Sequence, residues 1–338
     1  MSPAEAGRMA GNAIAAQVRA MGRGPSRGRG LTREEAREAF AAILAGEAAP
    51  EATGALLMLM RYRGESAEEI AGFVEALRAR LAAWAGIGAA VDWPSYAAGR
   101  TRGLPLFLLA ARLVAASGRP VILHGWNSHL DHPVTTRLGA EALGVPVAES
   151  PEATRAALAG EGIAYVPLAA LDGEALRLLR LREVLGLRSP VNTALRALNP
   201  TGAPASVQGV FHPPYRALQA DAARLLGQKA VGVLKGGGGE FERHPGKAVS
   251  LFGFRPEGDF AHEAPATEEI APRRMREEGA APSPAALAAL WSGAAEDGFA
   301  RAVVLATAGA ALHVAGAGTL AEAERMAERL WEERCRAL

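Results

Sequence analysis

At 338 residues, with 49% hydrophobic and 22% charged side chains, the chain holds enough apolar material for about two ordinary globular domains. Its 37 basic and 36 acidic side chains leave a net charge of +1, which excludes a global electrostatic pull on nucleic acid and leaves that task to local basic patches. A single cysteine, Cys335, excludes an intramolecular disulfide; the N-terminus shows no signal-peptide core, and the longest apolar run, Leu104 to Ala116, is interrupted by Arg112 and too short for a bilayer, so a cytoplasmic protein with no membrane partner is expected.

Residues Pro3 to Met21 suit one short helix. Gly22 to Gly30 (GRGPSRGRG) read either as a flexible linker or as a basic arm that touches phosphates. A helical block then runs from Leu31 to about Gly88, with capping boxes at Thr32/Glu35 and Ser66/Glu69. Between them, Thr53 to Tyr62 carries Leu56, Leu57, Leu59 and Met60 on a broad apolar face. Three or four amphipathic helices fit this stretch, and so small a bundle invites a partner surface, hence a homodimer through the helical domain. From Val91 short apolar strands alternate with helices. Strands are expected at Val121–His124, Val145–Ala148 and Ala230–Leu234, with Ala302–Leu305 in a buried strand or helix. Helices are expected at Leu104–Ser117, Thr135–Leu143 and Tyr215–Leu226, which makes an α/β domain. No internal repeat or heptad seam is evident. Arg255 to Pro284, rich in Pro, Glu and Arg, reads as a long surface excursion.

Several side chains stand out as candidates. Arg100 and Arg102 are either solvated loop charges or phosphate contacts, because the arginine fork matches phosphate oxygens. Lys235 with Gly236 to Gly239 forms either an anion nest beside an ammonium or a flexible turn, and Glu240 opposes the first of these. Arg243, His244 and Lys247 continue a basic cluster that reads equally as a solvated face. Arg177, Arg180 and Arg182 fall on one helix with Arg188 just beyond, available to another anion or simply as surface charge. His124, at a strand end, reads as structural rather than catalytic. His129 and His132 flank Asp131 without a recognised ligand spacing, so no metal is expected. Tyr96 and Trp126 are candidate base-stacking rings, whereas Trp93 reads as core. Nothing near Cys335 marks it as a nucleophile.

In chain order, several segments resemble the anthranilate phosphoribosyltransferase (glycosyl transferase family 3) superfamily. Leu31 to Arg78 looks like its helical domain, and Val121–Gly125 (VILHG) looks like the strand that ends in Lys-His-Gly-Asn. Arg182–Pro200 resembles the stretch ending in Asn-x-x-Gly-Pro-Leu-x-Asn-Pro, although Leu195 and Arg196 replace its Gly-Pro. Gly209–Tyr215 (GVFHPPY) and Ala306–Arg329 follow in order. Where the enzymes carry a Gly-Thr-Gly-Gly-Asp pyrophosphate loop, this chain reads Trp93-Pro94-Ser95-Tyr96-Ala97-Ala98-Gly99-Arg100. Proline removes an amide donor there, and most of the glycines are gone. Where the enzymes hold magnesium with an Asp-Glu pair, it reads Lys235-Gly-Gly-Gly-Gly-Glu240-Phe241-Glu242.

The resemblance implies an α plus α/β fold of the nucleoside phosphorylase/phosphoribosyltransferase-like type. After an N-terminal segment over 1–30, a helical domain spans 31–90, with 168–197 returning to it, and an α/β domain spans 91–167 and 198–338. The departures resemble the YbiB-type branch, which implies a homodimeric, non-sequence-specific DNA- or RNA-binding protein without catalytic residues or cofactor. Arg100, Arg102, Arg182, Arg188, Lys235, Arg243 and Lys247 would then hold phosphates. The alternative is a transferase of altered specificity using magnesium, in which Arg182, Asn192 and Asn199 match positions of the enzymes.

Overall fold

Two capping boxes start the helical part of the molecule. The computed structural model describes residues 13–24, 26–96, 103–126, 134–266 and 282–336. The chain divides into two units: Met1–Ala82 with Asp172–Leu198 and Asp221–Gly227, and Ala83–Leu171 with Asn199–Ala220 and Gln228–Leu338.

The first unit opens with α1 (Ala15–Gly22), α2 (Arg33–Leu44), α3 (Pro50–Arg63) and α4 (Ala67–Arg80). Thr32 Oγ1 accepts from the Glu35 amide while the Glu35 carboxylate accepts from the Thr32 amide, and Ser66 and Glu69 repeat this exchange. Glu69 also takes the Leu31 amide at 2.8 Å, so one carboxylate, 1% exposed, ties the starts of two helices together. Helices α2 and α4 meet through stacked Phe40 and Phe73, with ring centroids 4.0 Å apart. Gly72 permits that approach, since a Cβ there would lie 2.3 Å from the Arg33 carbonyl oxygen. The returning segment supplies helices Gly173–Arg180 and Pro190–Arg196, fastened by Arg80 on Asp172 at 2.6 Å and by Arg78 on the Leu198 carbonyl at 2.7 Å.

The second unit is built on a seven-stranded sheet: β1 (Val91–Ser95), β2 (Val121–Gly125), β3 (Ile163–Pro167), β4 (Ala205–Val210), β5 (Ala230–Lys235), β6 (Val249–Arg255) and β7 (Gly258–Ala264). Its order is β3-β2-β1-β4-β5-β6-β7, with the first five strands parallel and the last two antiparallel. Helices cover it, chiefly α5 (Phe107–Ala116) and α6 (Gly298–Val314), so β1 to β4 are almost wholly buried. Strand order reverses between β1 and β4, and sheets of this kind leave their ligand crevice at the carboxyl ends of such strands.

Three expectations change, and the strand-or-helix alternative at Ala302–Leu305 is decided. Val145–Ala148 forms no strand; only Val147 bridges to Tyr165, because Pro146 has no amide to continue a ladder. Ala302–Leu305 lies inside α6, which Asp297 caps. Part of Arg255–Pro284 is a β-hairpin between β6 and β7, turning at Gly258 with φ +136°, while 267–281 lie outside the described residues. The described part of Gly22–Gly30 is a folded turn rather than a loose linker: the Gly28 amide donates to Gly24 O at 2.8 Å and that of Arg29 to Ala20 O at 3.0 Å. No described helix is long and apolar enough to cross a membrane.

Candidate functional site

A chain of polar side chains crosses the sheet interior from Asp92 and Ser206, near the amino ends of β1 and β4, to His124 near the carboxyl end of β2, through otherwise apolar surroundings. Asp92 accepts from His124 Nε2 at 3.0 Å and from Ser206 Oγ at 2.8 Å, and Ser206 Oγ accepts from Gln208 Nε2 at 3.2 Å. His124 Nδ1 meets the Tyr96 hydroxyl at 2.9 Å. A neutral imidazole with its proton on Nε2 satisfies both neighbours at once, with Tyr96 donating to Nδ1. Asp92 and His124 are 0% exposed and Tyr96 is 1%. Burial, with Tyr165 and Asp92 adding to it, pushes the Tyr96 hydroxyl well above its ordinary pKa, so it stays a donor.

A second cluster closes the neighbouring ground. Ser95 Oγ donates to Glu240 Oε1 at 3.0 Å and lies 2.8 Å from Thr136 Oγ1, while Glu242 Oε2 accepts the Phe107 amide at the start of α5, at 3.0 Å. Between the two carboxylates Phe241 is 0% exposed and meets Trp93 edge-on at 5.5 Å. The glycines before them serve close packing. A Cβ on Gly236 would sit 1.6 Å from Glu240 O, and one on Gly209 would sit 2.0 Å from the Glu240 carbonyl carbon. Gly238 and Gly239 take φ of 64° and 89°. The amides of Gly236, Gly237, Gly239, Glu240 and Glu242 all donate to carbonyls of this chain. Of the two readings of Gly236–Gly239, this favours the turn over the anion nest: the amides of Gly236, Gly237 and Gly239 already have carbonyl partners, and the turn is packed against β4.

Magnesium binds through carboxylates with several water positions left open in an octahedron. Glu240 and Glu242 are each 1% exposed, with one oxygen of Glu240 accepting from Ser95 and one of Glu242 accepting the Phe107 amide. No group of three metal-ligating side chains occurs among the described residues.

The other predicted residues fare differently. Lys235, at the end of β5, and Lys247 are exposed and make no ion pair among the described residues. Arg243 is corrected as a phosphate ligand: it is 5% exposed, ion-paired with Glu324, and donates to Pro265 O at 3.2 Å. Tyr96 is corrected as a stacking ring, since it is buried against His124 and presents no face to a base. Trp126 is half-buried, its amide on Ser95 O at 3.3 Å. Arg182 and Arg188 belong to the first unit, half-buried and each already engaged with its neighbours. Arg177 pairs with Glu174 and Arg180 with Glu183, which marks a solvated face. The Arg177–Arg182 stretch is also not one helix, because it breaks at Leu181. Asn199, at φ 40°, spends its amide on Ala203 and Gln228 and shapes a turn. Arg100, Arg102, His129, Asp131 and His132 lie outside the described residues. Sequence reading passed over Asp92, Ser206 and Gln208; their signal was a polar residue inside each of the strand-like runs VDWPS and ASVQGV.

Comparison with known proteins agrees with this geometry. The family described as "Glycosyl transferase family, helical bundle domain" matches residues 26–81. The anthranilate phosphoribosyltransferase of Methylorubrum extorquens is 33% identical over 305 residues, covering 86% of this chain and 87% of its own. That of Rhizobium johnstonii is 33% identical over 209 residues, and the match spans 61% of its length. Among solved structures, the Thermus thermophilus anthranilate phosphoribosyltransferase superposes with a TM-score of 0.73 at 26% identity, over 95% of this chain and 94% of that one. The Saccharomyces cerevisiae enzyme in complex with PRPP and Mg shares the fold, with a TM-score of 0.71 at 14% identity over 94% and 96%.

Proposed function

The chain belongs to the anthranilate phosphoribosyltransferase family, and from that premise we propose that it has left metal-assisted pyrophosphate chemistry and binds nucleic acid through its phosphates, as a homodimer. One observation carries the reading: the two acids nearest the family's magnesium position, Glu240 and Glu242, are buried and committed to Ser95 and the Phe107 amide. Burial this deep leaves little space for the waters that magnesium keeps around it. The exposed and unpaired Lys235 and Lys247 leave positive charge on the same unit. Phosphate contacts of this kind carry affinity without sequence information. Self-association draws support from Tyr62, Val184 and Leu187 of the helical unit, which are 90%, 81% and 56% exposed.

The test pairs two titrations. Calorimetry with magnesium and phosphoribosyl pyrophosphate should give no saturable heat up to millimolar ligand. Fluorescence polarisation with a labelled single-stranded oligonucleotide should show affinity that falls with salt at a log–log slope of about −3 for four phosphates. Saturable micromolar binding of the sugar diphosphate, or an oligonucleotide slope near zero, overturns the reading.

A second reading, a transferase of altered specificity, is favoured by the 33% identity to an enzyme over 305 residues. The residues of this chain that would serve it are Arg182 and Asn192, by likeness to positions of the enzymes. The calorimetric outcome separates the two.

A further inference from the structure

The first unit carries a groove of about 340 Å³ lined by Gln17, Arg19, Arg23, Arg27, Arg29 and Glu35. Arg19 and Arg23 are four apart at the end of α1, so they share a face and lie about 6 Å apart along the axis. The chain then turns at Gly24, with φ +84°, and comes back over the helix end. A Cβ on Gly28 would meet Met21 O at 2.7 Å and Gly24 O at 2.8 Å, so glycine is required for the return. Arg63 clamps it from α3 by donating to Gly28 O at 3.1 Å. The result sets Arg27 and Arg29 beside Arg19 and Arg23. All four are exposed.

Their charges are not equally available. Arg29 is closed on Glu35 by two hydrogen bonds of 2.6 Å. Among the described residues Arg19, Arg23 and Arg27 make no ion pair, and Glu35 is the one acid lining the groove. Three guanidinium forks around one groove, two at the helix end and one on the returning turn, suit a ligand with several anionic groups in series better than a single phosphate.

We infer that this arginine groove on the helical unit is a docking site for the phosphodiester backbone of a nucleic acid, in addition to any contact made by the α/β unit. The inference rests on the nucleic-acid reading above. It assigns the backbone contact to residues Arg19, Arg23 and Arg27 and gives their Gly-rich turn a purpose beyond connection.

The experiment uses the full chain and a labelled single-stranded oligonucleotide, read by polarisation across a salt series. The variants are Arg19→Ala/Arg23→Ala/Arg27→Ala, the single Arg23→Glu, and Lys235→Ala/Lys247→Ala. The triple variant should weaken binding by about tenfold or more and make the salt slope shallower by about 2, the number expected for three lost contacts to a single strand. Arg23→Glu should weaken it in the same direction with an unchanged melting temperature, which separates binding from folding. If the wild-type chain binds and both arginine variants match it in affinity and slope, the groove assignment is overturned while the functional reading stands. If the wild-type chain itself does not bind, both fall.

Discussion

In the α/β unit, Arg243 is 5% exposed and closed on Glu324 and Pro265, whereas in the helical unit Arg19, Arg23 and Arg27 are exposed and unpaired. As sequence, the two stretches look alike: GEFERHPGK and GRGPSRGRG both mix arginine with glycine and proline. The difference lies in what travels with the charge. Phe241 is driven into the core against Trp93 and takes Glu240, Glu242 and Arg243 inside with it, where each must find a partner. The glycine turn after α1 has no large apolar side chain to bury, so its arginines stay in water. Basic clusters are therefore read best by the apolar residues beside them.

Several substitutions test that contrast. The largest effect is expected from Asp92→Ala, which strands His124 and Ser206 in a fully buried site. A loss of about 3–5 kcal/mol in urea unfolding is expected, against less than about 0.5 kcal/mol for Arg27→Ala. Equal midpoints for the two variants would erase the distinction. Glu324→Ala leaves the Arg243 guanidinium buried without its acid and should cost about 1–3 kcal/mol. A cost near zero would mean that Arg243 reaches solvent after all. Thr32→Ala removes one cap of the helical unit and should cost about 1 kcal/mol, most of it recovered in Thr32→Asp, as thermal melts would register.

The smallest effect is one of pH. Glu35 is held down to about 2, first by its hydrogen bonds to Arg29 and then by the Thr32 amide. Because its folded pKa lies below its ordinary value, the stability it lends is present above that value and lost as pH falls from there towards about 2. Arg29→Ala should bring the Glu35 titration, followed by carboxyl NMR, back up towards the ordinary range and narrow that window. An unmoved titration would assign the shift to the cap alone.

Much of the architecture was legible in the residues because it rests on local chemistry. The Thr32/Glu35 and Ser66/Glu69 boxes, the strands at Val121 and Ala230 and the helix after Leu104 each carry their own signal over a few positions. The candidate site was less legible. Tyr96, two residues after a proline, gives no hint that its hydroxyl meets His124, 28 residues away. Glu240 shows no sign of its bond to Ser95 across 145 residues. Glycine runs carry the same ambiguity: Gly236–Gly239 look permissive for an anion, yet Gly236 meets a need of the loop itself, which folds back to bring Glu240 against its backbone.

The placement of Phe241 also bears on which substitutions this site can accept. Restoring neighbouring acids would require a carboxylate at position 241, where an aromatic ring now fills space beside Trp93. An unpaired charge there would be expelled at a cost of several kcal/mol, and the void left by the ring would add to it. A single substitution to neighbouring acids thus passes through a molecule that struggles to fold.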